Sequence, residues 1–385
     1  MYVIRRAIIE DVSTLLKLAK MVHFINLPPD KDIIAQKIAH SRNSFLKIAD
    51  AKAKPEPEPM PRTLAGLGVE PSRVQGLGFS KVHTDLYMFV LEDGETGNVL
   101  GTSQTLAHMG GPGNPNYSFK LDRRQFFSES LQTGTTQIVA KLHGDESGPS
   151  EIGGLILQPS FRGHPKKLGF FLSVIRFHFM GLHRHLFADR VLAEMMAPIT
   201  SDAHNLLWDY LGRRFIPLSY DEADRFCQYS REFIASMLPR EELYLSLLPP
   251  AARAVIGEVG PETQPARRML EKMGFAYHGF IDPFDGGPHL TANTDEIPLA
   301  RDTRWAELGE AVNESACDRF GIVSVMKGGG EFYAVHEPFA VDADGPVCLA
   351  SEATAALRVA PGSRVGVTAT DGKGPIEGPR DTVAI

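Results

Sequence analysis

The chain has 385 residues, enough for two or three domains, and its 43% hydrophobic and 23% charged residues are ordinary for a soluble globular protein. A net charge of -7 argues against a general nucleic-acid binder, although it leaves room for a local basic pocket. Three dispersed cysteines (Cys227, Cys317 and Cys348) fit no metal spacing, the charged N-terminus lacks a signal-peptide core, and no apolar run reaches membrane-spanning length, so a cytoplasmic protein with reduced thiols and no metal is expected.

In chain order, Tyr2 to Arg5 reads as a strand. Asp11 then precedes Val12, Leu15, Leu16 and Leu18, an apolar face at helical spacing for which Asp11 is the expected N-cap. A second helix is expected over Lys31 to Ser44. Lys52 to Arg62 is rich in proline and glutamate and, with the glycine-rich Leu64 to Phe79, reads as a surface insertion spanning residues 48–82. Asp85 to Thr102 has the pattern of a hairpin: Tyr87 to Leu91 out, Glu92 to Gly97 as the turn, Val99 onward back. Gly110 to Tyr117 reads as a loop.

Gly153 to Phe179 is the most informative stretch. A short apolar strand, Gly154 to Leu157, ends at Pro159 and Ser160. A basic turn with Arg162, Gly163, His164, Lys166, Lys167 and Gly169 follows, and an apolar run from Phe170 to Phe179 continues as a helix. Backbone N–H groups and cations at a helix N-terminus make an anion site. The stretch contains neither GxxxxGK[ST] nor GxGxxG, which excludes a Walker loop and a dinucleotide fingerprint. Val191 to Glu194 is the next strand. Asn205 to Phe215 is expected to be a short helix ending at Gly212, and Ala266 to Phe275 a second helix closed by Gly274. Beyond Arg304, short β-like runs at Gly321–Val325 and Arg364–Val367 alternate with Gly and Pro and resemble a small all-β lobe.

The strand, the x-P-x-x-R-G turn and the glycine opening a helix look like the acyl-CoA pyrophosphate loop of the GNAT superfamily of N-acyltransferases. Longer strings resemble one family within it, the arginine N-succinyltransferases of bacterial arginine catabolism: FVLEDGETGNVLG (Phe89–Gly101), SEIGGLILQPSFR (Ser150–Arg162), FADRVLAEM (Phe187–Met195), FIASMLPREELY (Phe233–Tyr244), VIGEVGPETQPARRMLEKMGF (Val255–Phe275) and YHGFIDPFDGGPHL (Tyr277–Leu290). The resemblance implies an α+β, GNAT-like acyltransferase fold, extended or duplicated, over residues 1–300, with a small C-terminal β lobe over 301–385. It also implies succinyl transfer from succinyl-CoA to the α-amino group of arginine, with Leu155 matching the acyl-CoA contact. The family places a histidine, the proton donor, where this chain has Gly260. It has an R-G…S-P-F segment where this chain reads Met196 to Leu207, and a first loop glycine where this chain has Lys167.

An α-amino group is mostly protonated at neutral pH, so acyl transfer calls for a base near the thioester. The expected catalytic candidates are Glu151, just before the central strand, Glu194, at the end of its neighbour, and His204. The expected acyl-CoA contacts are Leu155, Ile156, Leu157, Arg162, Gly163, Lys167, Gly169 and Phe170, with carbonyl polarisation from a backbone N–H around Leu155. The family's oligomers imply partners: further copies of the chain, or an active paralogue for which this chain would be a regulatory subunit. A different acceptor is the other alternative.

Overall fold

A computed structural model of the chain describes residues 1–21, 27–55, 84–200, 204–227, 230–342 and 345–380. Most of the expected insertion, at residues 56–83, lies outside the described residues. The strands are β1 (Tyr2–Arg6), β2 (Leu86–Asp93), β3 (Val99–Leu106), β4 (Asn116–Ser128), β5 (Thr133–Asp145), β6 (Ser150–Leu157), β7 (Arg190–Glu194), β8 (Leu243–Tyr244), β9 (Ala276–Ile281), β10 (Pro288–Asn293), β11 (Arg304–Glu307), β12 (Arg319–Lys327), β13 (Glu331–Val341), β14 (Val347–Leu349) and β15 (Arg364–Ala369). Five helices matter here: α1 (Val12–Lys20), α2 (Lys31–Ala49), α3 (Leu168–Leu182), α4 (Gln264–Lys272) and α5 (Ser351–Leu357).

The strands join one mixed sheet in the order β11-β15-β12-β13-β1-β2-β3-β6-β7-β10-β9-β4-β5-β8, with β14 attached to β13. The architecture is a mixed α/β fold built on one large sheet. The hairpin strand β2 is buried on both faces, which is why it reads as a continuous apolar run. Tyr87, Phe89 and Leu91 pack with Phe177 and Phe179 of α3, while Leu86, Met88 and Val90 pack with Leu15 of α1 and Ile34 and Ile38 of α2. The C-terminal strands have an apolar cluster of their own, including Val323, Val335, Val365 and Leu357 of α5. They also continue the main sheet, because β13 pairs antiparallel with β1 at Ile4↔Ala334 and Arg5↔Tyr333.

Three local expectations change. Asp11 does not cap α1: its carboxylate accepts the Ile8 N–H at 2.8 Å and a two-pronged bond from Arg5 at 2.8 and 2.9 Å, so the chain enters the helix through a 3-10 turn over Ile9–Asp11. The N-cap of α2 is Asp30, whose carboxylate takes the Asp32 and Ile33 N–H groups, and α2 runs to Ala49, well past Ser44. Gly212 does not end its helix. It sits at the close of a π turn, Trp208–Gly212, that continues into Arg213–Phe215, and a Cβ there would lie 2.3 Å from the Trp208 ring. The glycine is a packing requirement of the indole. Gly274, by contrast, closes α4 as expected, with the Phe275 N–H donating to the Leu270 carbonyl at 3.1 Å. The long hairpin β4–β5, two strands of 13 residues each, carries mixed polar sequence and was not signalled by composition. No helix among the described residues is long and apolar enough to cross a membrane.

Candidate active site

The site begins with a fault in the sheet. Opposite β3, β6 carries one residue too many: Thr102 faces Ile156 and Gln104 faces Gly153. The extra residue is a bulge at Gly154-Leu155, opposite Ser103. Gly154 has φ +56, and a Cβ on it would lie 3.0 Å from the Gln104 side chain, so both the turn and the close approach call for glycine. At the same point β6 leaves its other neighbour. Its parallel pairing with β7 covers only Ser150↔Val191 and Glu151↔Leu192. Beyond Glu151 the two strands part, and a cavity of about 570 Å³ opens between them, within the roughly 300–1,000 Å³ typical of ligand pockets.

One wall of the cavity is β6 and the start of α3. All eight residues expected to hold acyl-CoA line it: Leu155, Ile156, Leu157, Arg162, Gly163, Lys167, Gly169 and Phe170. Lys167 immediately precedes α3 in the left-handed conformation, φ 50 and ψ 46, at the position where the sequence comparison expects glycine. A non-glycine residue there stores roughly 1–2 kcal/mol of backbone strain. Its ammonium has no ion-pair partner among the described residues. The neighbouring cations are engaged: Arg162 bonds Glu262 at 2.7 Å across the cavity rim, and Lys166 bonds Glu337 of β13 at 2.8 Å.

The facing wall is acidic. Glu194 at the end of β7 and Asp282 and Asp285 in the β9–β10 connection line the cavity. Glu194 accepts a hydrogen bond from the Asn116 amide at 3.0 Å, and Asn116 in turn accepts one from Arg231. His289 of β10 stands across from Glu194 in the β7–β10 pairing, its Nε2 3.7 Å from Glu194 and 4.0 Å from Asp282. Burial would lower the His289 pKa, but the Asp282 and Glu194 carboxylates outweigh it and raise the value. Burial first, and the charge of Asp282 second, push the Asp285 carboxyl up to about 8, while the Gly287 and Ala197 N–H groups oppose the rise. Glu194, Asp282 and His289 offer ligand atoms within 4.8 Å of one another, a cluster that could hold a cation. No spacing in the sequence announces it, because the three residues come from β7, the β9–β10 connection and β10.

The other expected residues fall outside this lining. Glu151 lies within β6 rather than before it, is 3% exposed and does not line the cavity. His204 is on the surface, where its Nδ1 lies 3.0 Å from Asp209, and it does not line the cavity. Gly260 is next to the lining residue Met196, to whose carbonyl its N–H donates at 3.3 Å. A Cβ on Gly260 would meet nothing closer than 3.7 Å, so a side chain has room there. The lining also contains Arg176 of α3, which residue-by-residue reasoning passed over. Its signal was available: a lone cation inside the apolar run Phe170–Phe179.

Comparison with known proteins places the chain in a family. The family model described as arginine N-succinyltransferase beta subunit matches residues 75–299. The arginine N-succinyltransferases of Enterobacter sp. (strain 638) and Escherichia coli O139:H28 (strain E24377A / ETEC) are 36% and 37% identical over 225 residues, or 58% of this chain. The match spans 64% of the length of these curated relatives. The solved structure of arginine/ornithine succinyltransferase subunit AI from Pseudomonas aeruginosa is 28% identical with a TM-score of 0.73, covering 96% of this chain and 98% of that one.

Proposed function

The chain belongs to the arginine N-succinyltransferase family, and on that premise we propose that it transfers a succinyl group from succinyl-CoA to the α-amino group of arginine. The observation that carries the reading is that the eight expected acyl-CoA contacts of the β6–turn–α3 unit line one wall of a single cavity, with carboxylates on the other. In this reading the CoA phosphates lie at the N-terminus of α3, drawn by its backbone N–H groups and by Lys167. The thioester lies along β6 beyond Glu151, where the strand has no partner in β7. A backbone N–H around Leu155 polarises the thioester carbonyl, a contribution worth roughly 3 kcal/mol in other acyl-transfer enzymes.

The acidic wall suits a cationic acceptor. The amine nitrogen attacks the thioester carbon, the C–N bond forms, the C–S bond breaks, and CoA leaves as the thiolate. The proton the nitrogen loses passes to Glu194, which Asn116 orients. Glu194 takes the role of base because it lines the cavity, whereas Glu151 and the surface residue His204 do not. The thiolate is a good leaving group, with a thiol pKa of about 8.5, so it does not depend on a protein acid in the place of Gly260.

The test is calorimetric titration of the protein with succinyl-CoA and acetyl-CoA, followed by addition of arginine with free thiol monitored. Binding of succinyl-CoA with arginine-dependent thiol release is the expected result. Binding without release would remove arginine as the acceptor, and failure to bind either CoA ester would overturn the reading.

A further inference from the structure

Arg176 is a buried cation that faces a cavity and has no anionic partner among the described residues. It is 3% exposed. Its Nε donates to the Ser173 carbonyl at 2.8 Å, its Nη2 to the Ser173 hydroxyl at 2.7 Å, and its Nη1 to the Gly153 carbonyl at 3.4 Å. All three acceptors are neutral. A guanidinium carries five N–H donors, so these bonds leave donors over. Burial alone draws its pKa down to about 9, with no neighbouring carboxylate acting in the other direction. Other inward-facing arginines are treated differently. Arg5 has Asp11 and Glu92, and Arg231 sits in the field of Glu194, Glu151 and Asp282. A buried charge without a countercharge is unfavourable, and fold stability gives no reason to keep one.

Its place gives a reason. The contact with the Gly153 carbonyl puts the guanidinium beside the β6 bulge, and the side chain lines the same cavity as Leu155 and Glu194. The two walls have opposite sign: Arg176 and Lys167 on the β6–α3 side, Glu194, Asp282 and Asp285 on the other. A donor that ends in a carboxylate matches the first wall, and an amine acceptor the second. We propose that Arg176 receives the distal carboxylate of the acyl donor and sets the preference for a dicarboxylic over a monocarboxylic acyl-CoA. The planar guanidinium suits a carboxylate better than an ammonium would. The proposal rests on the acyl-transfer reading above and adds the residue that selects the donor. An acceptor's α-carboxylate carries the same chemistry. The donor is favoured because Arg176 shares its wall with the acyl-CoA contacts.

The experiment compares succinyl-CoA with butyryl-CoA, which has a methyl in place of the carboxylate, in the wild type, Arg176→Met and Arg176→Lys. Arginine and argininamide are compared as acceptors in the same proteins. The wild type is expected to favour succinyl-CoA in kcat/KM by about 100-fold or more, as expected when a buried cation loses its anionic partner. Arg176→Met should remove most of that ratio while leaving butyryl-CoA within about threefold, and Arg176→Lys should fall between, the pattern of a lost charge rather than a general defect. An unchanged donor ratio in both variants overturns the proposal, as does a shift confined to the arginine-to-argininamide ratio. If Arg176→Met fails to fold, Arg176→Lys decides by the same ratio. If the wild type releases thiol from neither ester, the acyl-transfer reading has failed, and calorimetric binding of the two esters decides for Arg176. Tighter binding of succinyl-CoA that weakens in Arg176→Lys supports it, and equal binding overturns it.

Discussion

Two neighbouring residues of α3, Arg176 and His178, are both buried, and they serve opposite ends. His178 faces the C-terminal strands. Its Nδ1 is 2.6 Å from the Thr368 hydroxyl of β15, and its Nε2 is 2.6 Å from the Ser324 hydroxyl of β12. Both ring nitrogens are occupied, and burial holds the ring neutral, its pKa lowered to about 3. Arg176 faces the cavity with donors to spare and no countercharge. Where a buried polar group is completed by its own chain, it ties elements together. Where it is left incomplete at a cavity, it has donors free for what enters there. The cavity wall and the α3–β12–β15 junction therefore differ in completeness, although they are equally buried.

The largest effect that would break or sharpen this contrast is at the cavity. Glu194→Gln removes the proposed base and should lower kcat by about 10²–10⁴-fold with little change in the denaturation midpoint. A loss under tenfold in steady-state thiol release would take the base role away from Glu194.

At the junction the balance should reverse. His178→Ala strands the Ser324 hydroxyl, worth roughly 1–3 kcal/mol when buried without a partner, leaves Thr368 only its bond to the Thr303 hydroxyl at 2.5 Å, and opens a cavity as well. Urea unfolding should show a loss of about 3–5 kcal/mol, while kcat/KM of the folded fraction stays within about twofold. A selective change in donor preference would erase the distinction between the two faces.

The junction should also carry an acid limb. His178 and His336 are pulled down to about 3 and about 4, burial being the main cause in each, with Lys167 adding to the effect on His336. In the unfolded chain each titrates near about 6.5. Between these limits the unfolded state binds more protons, so their contribution is complete above about pH 6.5 and is lost as pH falls toward 4 and then 3. Urea midpoints measured from pH 7.5 to 4.5 should fall, and His178→Gln should flatten part of that fall. A parallel curve for the variant would assign the acid limb elsewhere.

Smaller effects belong to Lys167 and Gly260. Lys167→Gly relieves the left-handed backbone and removes a cation, whereas Lys167→Ala removes only the cation. The glycine variant should therefore be the more stable of the two by about 1 kcal/mol, with both weakening CoA binding a few-fold in calorimetry. Gly260→His has room for its Cβ and should shift stability by no more than about 0.5 kcal/mol. A modest rise in turnover would show that a histidine at this position still couples to the reaction, and no change would show that the Glu194 wall works without it.

The legible part of the fold lies where neighbours in sequence are neighbours in space. The β2–β3 hairpin, the Gly274 cap and the β6–turn–α3 unit are set by local backbone preferences and by apolar runs of strand or helix length. That the expected acyl-CoA residues share one cavity wall was readable for the same reason, since they all fall within the contiguous stretch Leu155 to Phe170. Gly212 and Asp11 show the limit: a glycine near a helix end and an acid before one match capping patterns, yet side-chain packing against Trp208 and a salt bridge to Arg5, both close in sequence but invisible to a backbone pattern, decided their roles.

The sequence by itself determined a strand, a basic glycine-bearing turn and a helix in tandem, and family membership through the strings around them. Only the tertiary structure decided that the β6–β7 pairing stops after Glu151, and that Glu194 meets Asp282, Asp285 and His289 while His204 stays outside. It also decided that Arg176 is buried without a countercharge while His178, two residues on, is fully bonded. The physical reason is range. Backbone conformation answers mostly to adjacent residues, whereas burial, charge balance and the parting of two strands depend on residues brought together from distant parts of the chain.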